Sequence, residues 1–246
     1  MEEYAKLLTA VAALVGAVAW PLAILVIVLV FRKELRSILS KVPVLLERVK
    51  KASISGIALE LDRVADAEDG SNKKGAITPL QVEAASRIEI QKREFGSQTL
   101  LGELDKLCLE YDSLRRTLPP GDNRTRAMTR VVVKMRSLAP SLVDSLDIYK
   151  GSGSPGSRLA AIAMMQMVPL VADLNWLRDR FSSEQPFIFY HAALALQNVA
   201  NISNTPEKKM HLRKVAEQAL AAVKGFAGAP DRNTIDVLDT LLSSLP

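Results

Sequence analysis

The side chains best equipped to recognise something are cations. Arg115 and Arg116 are followed by Arg124, Arg126, Arg130, Lys134 and Arg136, and Asp122 is the only acid between Leu114 and Ala139. With Met128, Val131, Val132, Met135 and Leu138 facing a core, a helical period stacks Arg126, Arg130 and Lys134 at four-residue spacing on an exposed face. Guanidinium forks match phosphate oxygens, so the expected ligand is a nucleotide or oligonucleotide. The candidate binding residues are Arg124, Arg126, Arg130, Lys134 and Arg158. The same composition also suits a solvated basic face paired to neighbouring acids.

GSGSPGSR, Gly151 to Arg158, is a second place for an anion. Ser154 can cap a helix, Pro155 suits its first turn, and the amides there are oriented to receive negative charge. The Lys-Ser/Thr pair of a nucleotide-hydrolysing phosphate loop is missing, and a linker ending in a well-capped helix explains the segment too. Arg158 would join the arginine face if the helices pack alongside one another.

Catalytic chemistry is poorly represented. The chain has two histidines and one cysteine, with no HExxH, cysteine cluster or GxSxG elbow. No catalytic set, metal ligand set or cofactor is expected. His191 in PFIFYHAALAL reads as a packed or hydrogen-bonded core histidine. Cys108 alone cannot staple the fold, which suits a reducing cytosol.

The elements that would carry these residues begin with an apolar run. From Leu7 to Phe31 there is no charge, whereas about 20 apolar residues cross a bilayer core. The acidic Met1-Glu2-Glu3 leader and the continuation of the run past Ala17-Val18-Ala19 argue against a cleaved signal peptide. Residues 32–51 hold seven basic against two acidic residues, which by the positive-inside rule places the bulk of the protein in the cytosol. Most of the net charge of +5 therefore lies beside the membrane, where it favours anionic lipid. Within the run, Thr9, Ala12, Gly16, Ala19 and Ala23 form a small-residue seam suited to helix self-association, and Pro21 predicts a kink.

Leu35, Ile38, Val42, Leu45 and Val49 continue as an amphipathic stretch interrupted by Pro43. In SISGIALELD, Ile57, Leu59 and Leu61 alternate with Ala58, Glu60 and Asp62, which predicts a short strand and an intersubunit β collar. DAEDGSNKKG has a linker's composition. Thr78 and Pro79 then open a helix that Gly96 interrupts, and Pro119-Pro120-Gly121 stops the next one. Further helical cores are expected over Met128 to Leu138, Leu159 to Met167, Leu174 to Phe181, Phe187 to Val199, Leu212 to Val223 and Ile235 to Leu242. The expected fold is mainly α, with a single N-terminal transmembrane helix, a short juxtamembrane β segment and a cytosolic HEAT-like or irregular helical domain. Its expected divisions are 1–31 anchor, 32–65 juxtamembrane region and collar, 66–78 linker and 79–246 sensor.

YDSLRRTLPPGDNRTRAMTRVVVKMRSLAP, SPGSRLAAIA and EQPFIFYHAALAL resemble a helical C-terminal module that bacteria attach to varied N-terminal parts, across roughly Leu100 to Leu245. With an anchor in front, the chain resembles the transmembrane effectors of bacterial anti-phage systems, in particular the Hailong type. The resemblance implies a membrane channel controlled by a nucleotide or oligonucleotide from a partner nucleotidyltransferase. It carries no individual binding residue across. The expectation is a single-pass protein of the inner (cytoplasmic) membrane, N-terminus outside. Its expected partners are the lipid bilayer, further copies in a homo-oligomer of about four subunits, and that ligand. The alternative is a membrane-tethered scaffold for a protein partner.

Overall fold

The structure, a computed structural model, describes residues 16, 20, 21, 32, 56–68, 76–228 and 231–246. The chain divides into two compact units, Met1–Ser53 and Ile54–Pro246. In the first, Gly16, Trp20, Pro21 and Arg32 are helical and exposed. The rest of the run from Leu7 to Phe31, including Thr9, Ala12, Ala19 and Ala23, lies outside the described residues, as does the amphipathic stretch beyond it. No helix among the described residues is long and apolar enough to cross a membrane.

The second unit is helical, and no strand occurs among the described residues. Residues 56–68 form α1, which corrects the expected β segment at Ile57, Leu59 and Leu61. Leu59 is 71% exposed, while Ile57, Leu61, Val64, Ala65 and Glu68 are buried. Their spacing of four, three, one and three is a helical face. The alternating hydrophobics happened to contain a four-residue pair, Ile57 and Leu61, that a helix also satisfies. Through these side chains α1 joins the core.

The following helices are α2 (Pro79–Phe95), α3 (Ser97–Thr117), α4 (Asp122–Leu138), α5 (Leu146–Lys150), α6 (Pro155–Met167), α7 (Leu174–Ser183), α8 (Pro186–Ile202), α9 (Pro206–Lys224) and α10 (Arg232–Ser244). Short 3-10 turns occupy Ala139–Ser145 and Pro169–Val171. Thr78 and Ser154 cap the helices where the sequence placed them. The Thr78 hydroxyl oxygen accepts from the Gln81 amide at 3.3 Å, and Gly96, at φ 81°, supplies the left-handed residue that separates α2 from α3. Asp173, Thr205 and Asp231 cap α7, α9 and α10.

Packing follows a simple order. Each even-numbered helix rests on the next, α2 on α4, α4 on α6, α6 on α8 and α8 on α10. The odd-numbered helices α3, α5, α7 and α9 each pair with the even helix that follows. At the centre sits α6, whose residues Leu159 to Gln166 are all buried. Its run of alanines and methionines lets neighbours approach closely on every side. The tightest approach is at Gly156, where a Cβ would stand 2.2 Å from the Cys108 carbonyl oxygen. A side chain there would drive α6 off α3.

Candidate functional site

Helix α4 separates the expected cations onto different faces. A period of 100° per residue sends Arg124, Thr125, Met128 and Thr129 to one side and Arg130, Val133 and Lys134 to the other. On the second side lies α1. Asp66 of α1 meets the Arg130 Nη2 at 2.5 Å, and Asp62 meets the Lys134 Nζ at 2.6 Å. Arg130 and Lys134 therefore hold a helix of the same chain instead of presenting an open basic face. Arg126 is exposed and also has an interaction partner. The expected stripe at four-residue spacing is real, but carboxylates at matching spacing on α1 answer its last two members.

Arg158 is likewise engaged within the fold. Its Nε donates to Glu184 and its Nη1 to the Ser152 carbonyl at 3.0 Å. Glu184 is buried and also receives Arg180 at 3.5 Å. Arg158 thus ties α6 to the turn between α7 and α8, and it does not extend the arginine face. The amides at the start of α6 are occupied too. Ser154 caps α6 as expected, accepting from the Ser157 amide at 3.3 Å. Asp112 of α3 accepts from the Gly156 amide at 2.9 Å and from the Ser154 hydroxyl at 2.5 Å. An internal carboxylate already takes the place that an anion would fill.

The other face of α4 opens on a cleft of about 590 Å³. Its walls come from the end of α3 (Arg115), the start of α4 (Asp122, Arg124, Thr125, Met128, Thr129), the start of α8 (Gln185, Pro186, Phe187, Tyr190, His191) and the approach to α10 (Phe226, Asp231, Asn233). The N-terminal ends of α4, α8 and α10 thus converge. Neither α4 nor α8 has a side-chain cap, so the positive ends of two helix dipoles face the same space. Arg115 lies over the Tyr111 ring at 5.9 Å, and Arg124 reaches the Leu118 carbonyl at 3.5 Å. Among the described residues, neither has a carboxylate at ion-pair distance.

Behind the cleft is a polar cluster around Arg136, a residue that the sequence grouped with the basic run. Arg136 is only 2% exposed. Its Nε donates to Gln166 Oε1 at 2.7 Å, and its Nη2 lies 3.5 Å from His191 Nδ1. Gln166 completes the link by donating to the His191 carbonyl at 2.6 Å. Burial pulls the Arg136 guanidinium down to about 10, with Glu68 and Tyr190 acting in the opposite sense. Burial, and then Arg136 itself, hold His191 well below its usual range, so its ring is neutral. Because arginine can only donate, Nδ1 is the accepting nitrogen and Nε2 carries the hydrogen. His191 is the packed core histidine expected from the sequence, and its ring also forms part of the cleft wall.

Aromatic rings complete that wall. Phe187 and His191 meet edge to face at 4.7 Å, Tyr190 and His191 at 5.4 Å, and Phe226 rests on Phe189 at 5.4 Å. Such surfaces suit a flat unsaturated ring. Of the five candidate cations, Arg124 alone lines the cleft, joined by Arg115 from the same basic run. The signal that could have found the rest was the density of aromatic residues around His191 in EQPFIFYHAALAL. Among the described residues, no group of three or more His, Cys, Asp or Glu side chains is placed to hold a metal ion. Burial pushes the Cys108 thiol up to about 12, which leaves it protonated and unreactive. Comparison with protein-family models, curated proteins and solved structures gives no match to this chain.

Proposed function

We propose that this chain is an oligomeric membrane effector whose helical unit binds a phosphorylated ligand, a nucleotide or short oligonucleotide, in the cleft between α3, α4, α8 and α10. Binding controls an ion-conducting or membrane-disrupting assembly of the N-terminal runs in bacterial anti-phage defence. The observation that carries this reading is the pairing of Arg115 and Arg124 with Phe187, Tyr190 and Phe226 around one cleft of about 590 Å³. That volume lies within the usual range for small-molecule sites, about 300 to 1,000 Å³.

Arginine forks and uncapped helix starts favour phosphate oxygens, while the rings accept a base. Asp122 and Asp231 would repel a phosphate brought close to them. They suit the hydroxyls of a sugar or an amino group of a base, which places the phosphate toward the arginines. The membrane half of the proposal rests on the uncharged run from Leu7 to Phe31 and the basic residues after it. It gives a single-pass protein of the inner membrane with the helical unit, an array of HEAT-like character, in the cytosol and a nucleotidyltransferase as the source of ligand.

Full-length protein in liposomes tests it. A short oligonucleotide or nucleoside triphosphate added on the side of the helical unit should change ion flux in one direction or the other. The competing reading is a tethered scaffold, favoured by the exposed apolar side chains of Leu170 and Ile148. A scaffold gives no flux with or without nucleotide.

A further inference from the structure

We propose that α1 is a releasable strap, an acidic amphipathic helix held against α2 and α4 by a short buried apolar face together with ion pairs whose aspartates are exposed, and coupled to the cleft through α4. Its apolar face is small. Ile57, Leu61, Val64 and Ala65 are the buried hydrophobic residues, and the last two pack on Ala84 and Val133. The rest of the attachment is charge and hydrogen bonding. Glu60 meets Arg87 of α2 at 2.5 Å, Asp62 meets Lys134 and Asp66 meets Arg130 on α4, and Glu68 accepts from Gln81 at 2.5 Å and from Thr78.

Asp62 and Asp66 are 53% and 66% exposed. Water competes for carboxylates so exposed, and salt screens them, so each pair holds weakly and more weakly still at high ionic strength. Helix α6 differs, because Leu159 to Gln166 are all buried and its ion-paired anchor, Arg158 with Glu184, is covered from solvent. The N-terminal unit ends at Ser53, and α1 lies at the start of the second unit. Any force carried along the chain between the two units therefore passes through α1.

The arrangement of α4 supplies the coupling. Its cleft side holds Arg124, Thr125, Met128 and Thr129, and its opposite side holds the two cations that grip α1. One rigid helix cannot shift at one face without moving the other. Occupancy of the cleft and docking of α1 then bias one another, and by linkage the bias is reciprocal. This regulatory consequence rests on the cleft being the ligand site, whereas release of the strap does not.

Hydrogen exchange measured by mass spectrometry on the full-length protein in detergent separates these parts. Raising sodium chloride from about 0.05 to about 1 M should speed exchange in residues 56–68 by about tenfold, with little change in α6 and α8. At low salt, Asp62→Lys with Asp66→Lys should do the same, and adding Lys134→Asp with Arg130→Asp should restore native protection. Salt-independent exchange in 56–68 at the rate of α6, or a fourfold variant that folds but fails to restore protection, overturns the strap. The double reversal should also raise exchange about threefold in residues 122–129, on the cleft side of α4. Unchanged protection there overturns the coupling and leaves the strap standing. The ligand titration that decides the cleft itself is a separate measurement, so the two readings fail independently.

Discussion

On the side of α4 that meets α1, Arg130 and Lys134 each find a carboxylate, spaced at four residues to match their own. On the cleft side, Arg124 and its neighbour Arg115 reach, among the described residues, a carbonyl and a tyrosine ring, beside two uncapped helix starts. Both groups come from one basic run, and their local sequences are alike. The difference lies in what the fold brings opposite. Cations answered from within are structural, and cations left facing a cavity are where an external anion gains most.

The comparison presumes a stiff frame beneath both faces, and breaking that frame gives the largest effect. Gly156→Ala forces a methyl group into the Cys108 carbonyl. It should cost about 3 kcal/mol in chemical denaturation. Next is charge reversal in the cleft. Arg115→Glu with Arg124→Glu should weaken nucleotide binding by at least about a hundredfold in calorimetric titration while the unfolding temperature stays close to native. Gln166→Leu removes the acceptor of a buried arginine and should cost about 2 kcal/mol in the same denaturation assay. Smallest is the strap face. Asp66→Asn should change stability by less than about 1 kcal/mol and nucleotide affinity by less than about threefold.

A pH series sharpens the comparison from below. Unfolded histidine takes up a proton near 6.5, whereas His191 in the folded protein stays neutral well below that. Between those two values the unfolded chain binds more protons, so folding stability falls as the solution is made more acidic. His191 contributes fully above about 6.5 and loses its contribution as pH falls through the folded value. Thermal melts of His191→Gln should show a shallower loss of stability below about pH 6.5 than the native chain. An unchanged slope would mean that the buried imidazole is not the group responsible.

Periodicity made most of the helical unit legible. The starts at Thr78-Pro79 and Ser154-Pro155, the break at Gly96 and the stop at Pro119-Pro120-Gly121 are local signals with local causes, and each appears where expected. At α1 the local signal was ambiguous, because Ile57 and Leu61 fit both a two-residue and a four-residue period. Continuing the count to Val64 and Ala65 decides for a helix. The cleft was harder to read. Its residues come from positions 115–129, 185–191 and 226–233, and only packing brings them together. Arg136 shows the limit most clearly, since its neighbours in sequence gave no sign that Gln166 and His191 would receive it inside the protein. The same holds for Arg158, whose partner Glu184 lies 26 residues away.

The most direct test of the central claim is a calorimetric titration of the full-length protein with a nucleoside triphosphate and a short oligonucleotide, comparing the two faces of α4. Binding that disappears in Arg115→Glu with Arg124→Glu and persists in Arg126→Glu with Arg130→Glu is the predicted result. Binding that survives the first pair and disappears with the second would return the site to the outer face of α4 and contradict the assignment of the cleft.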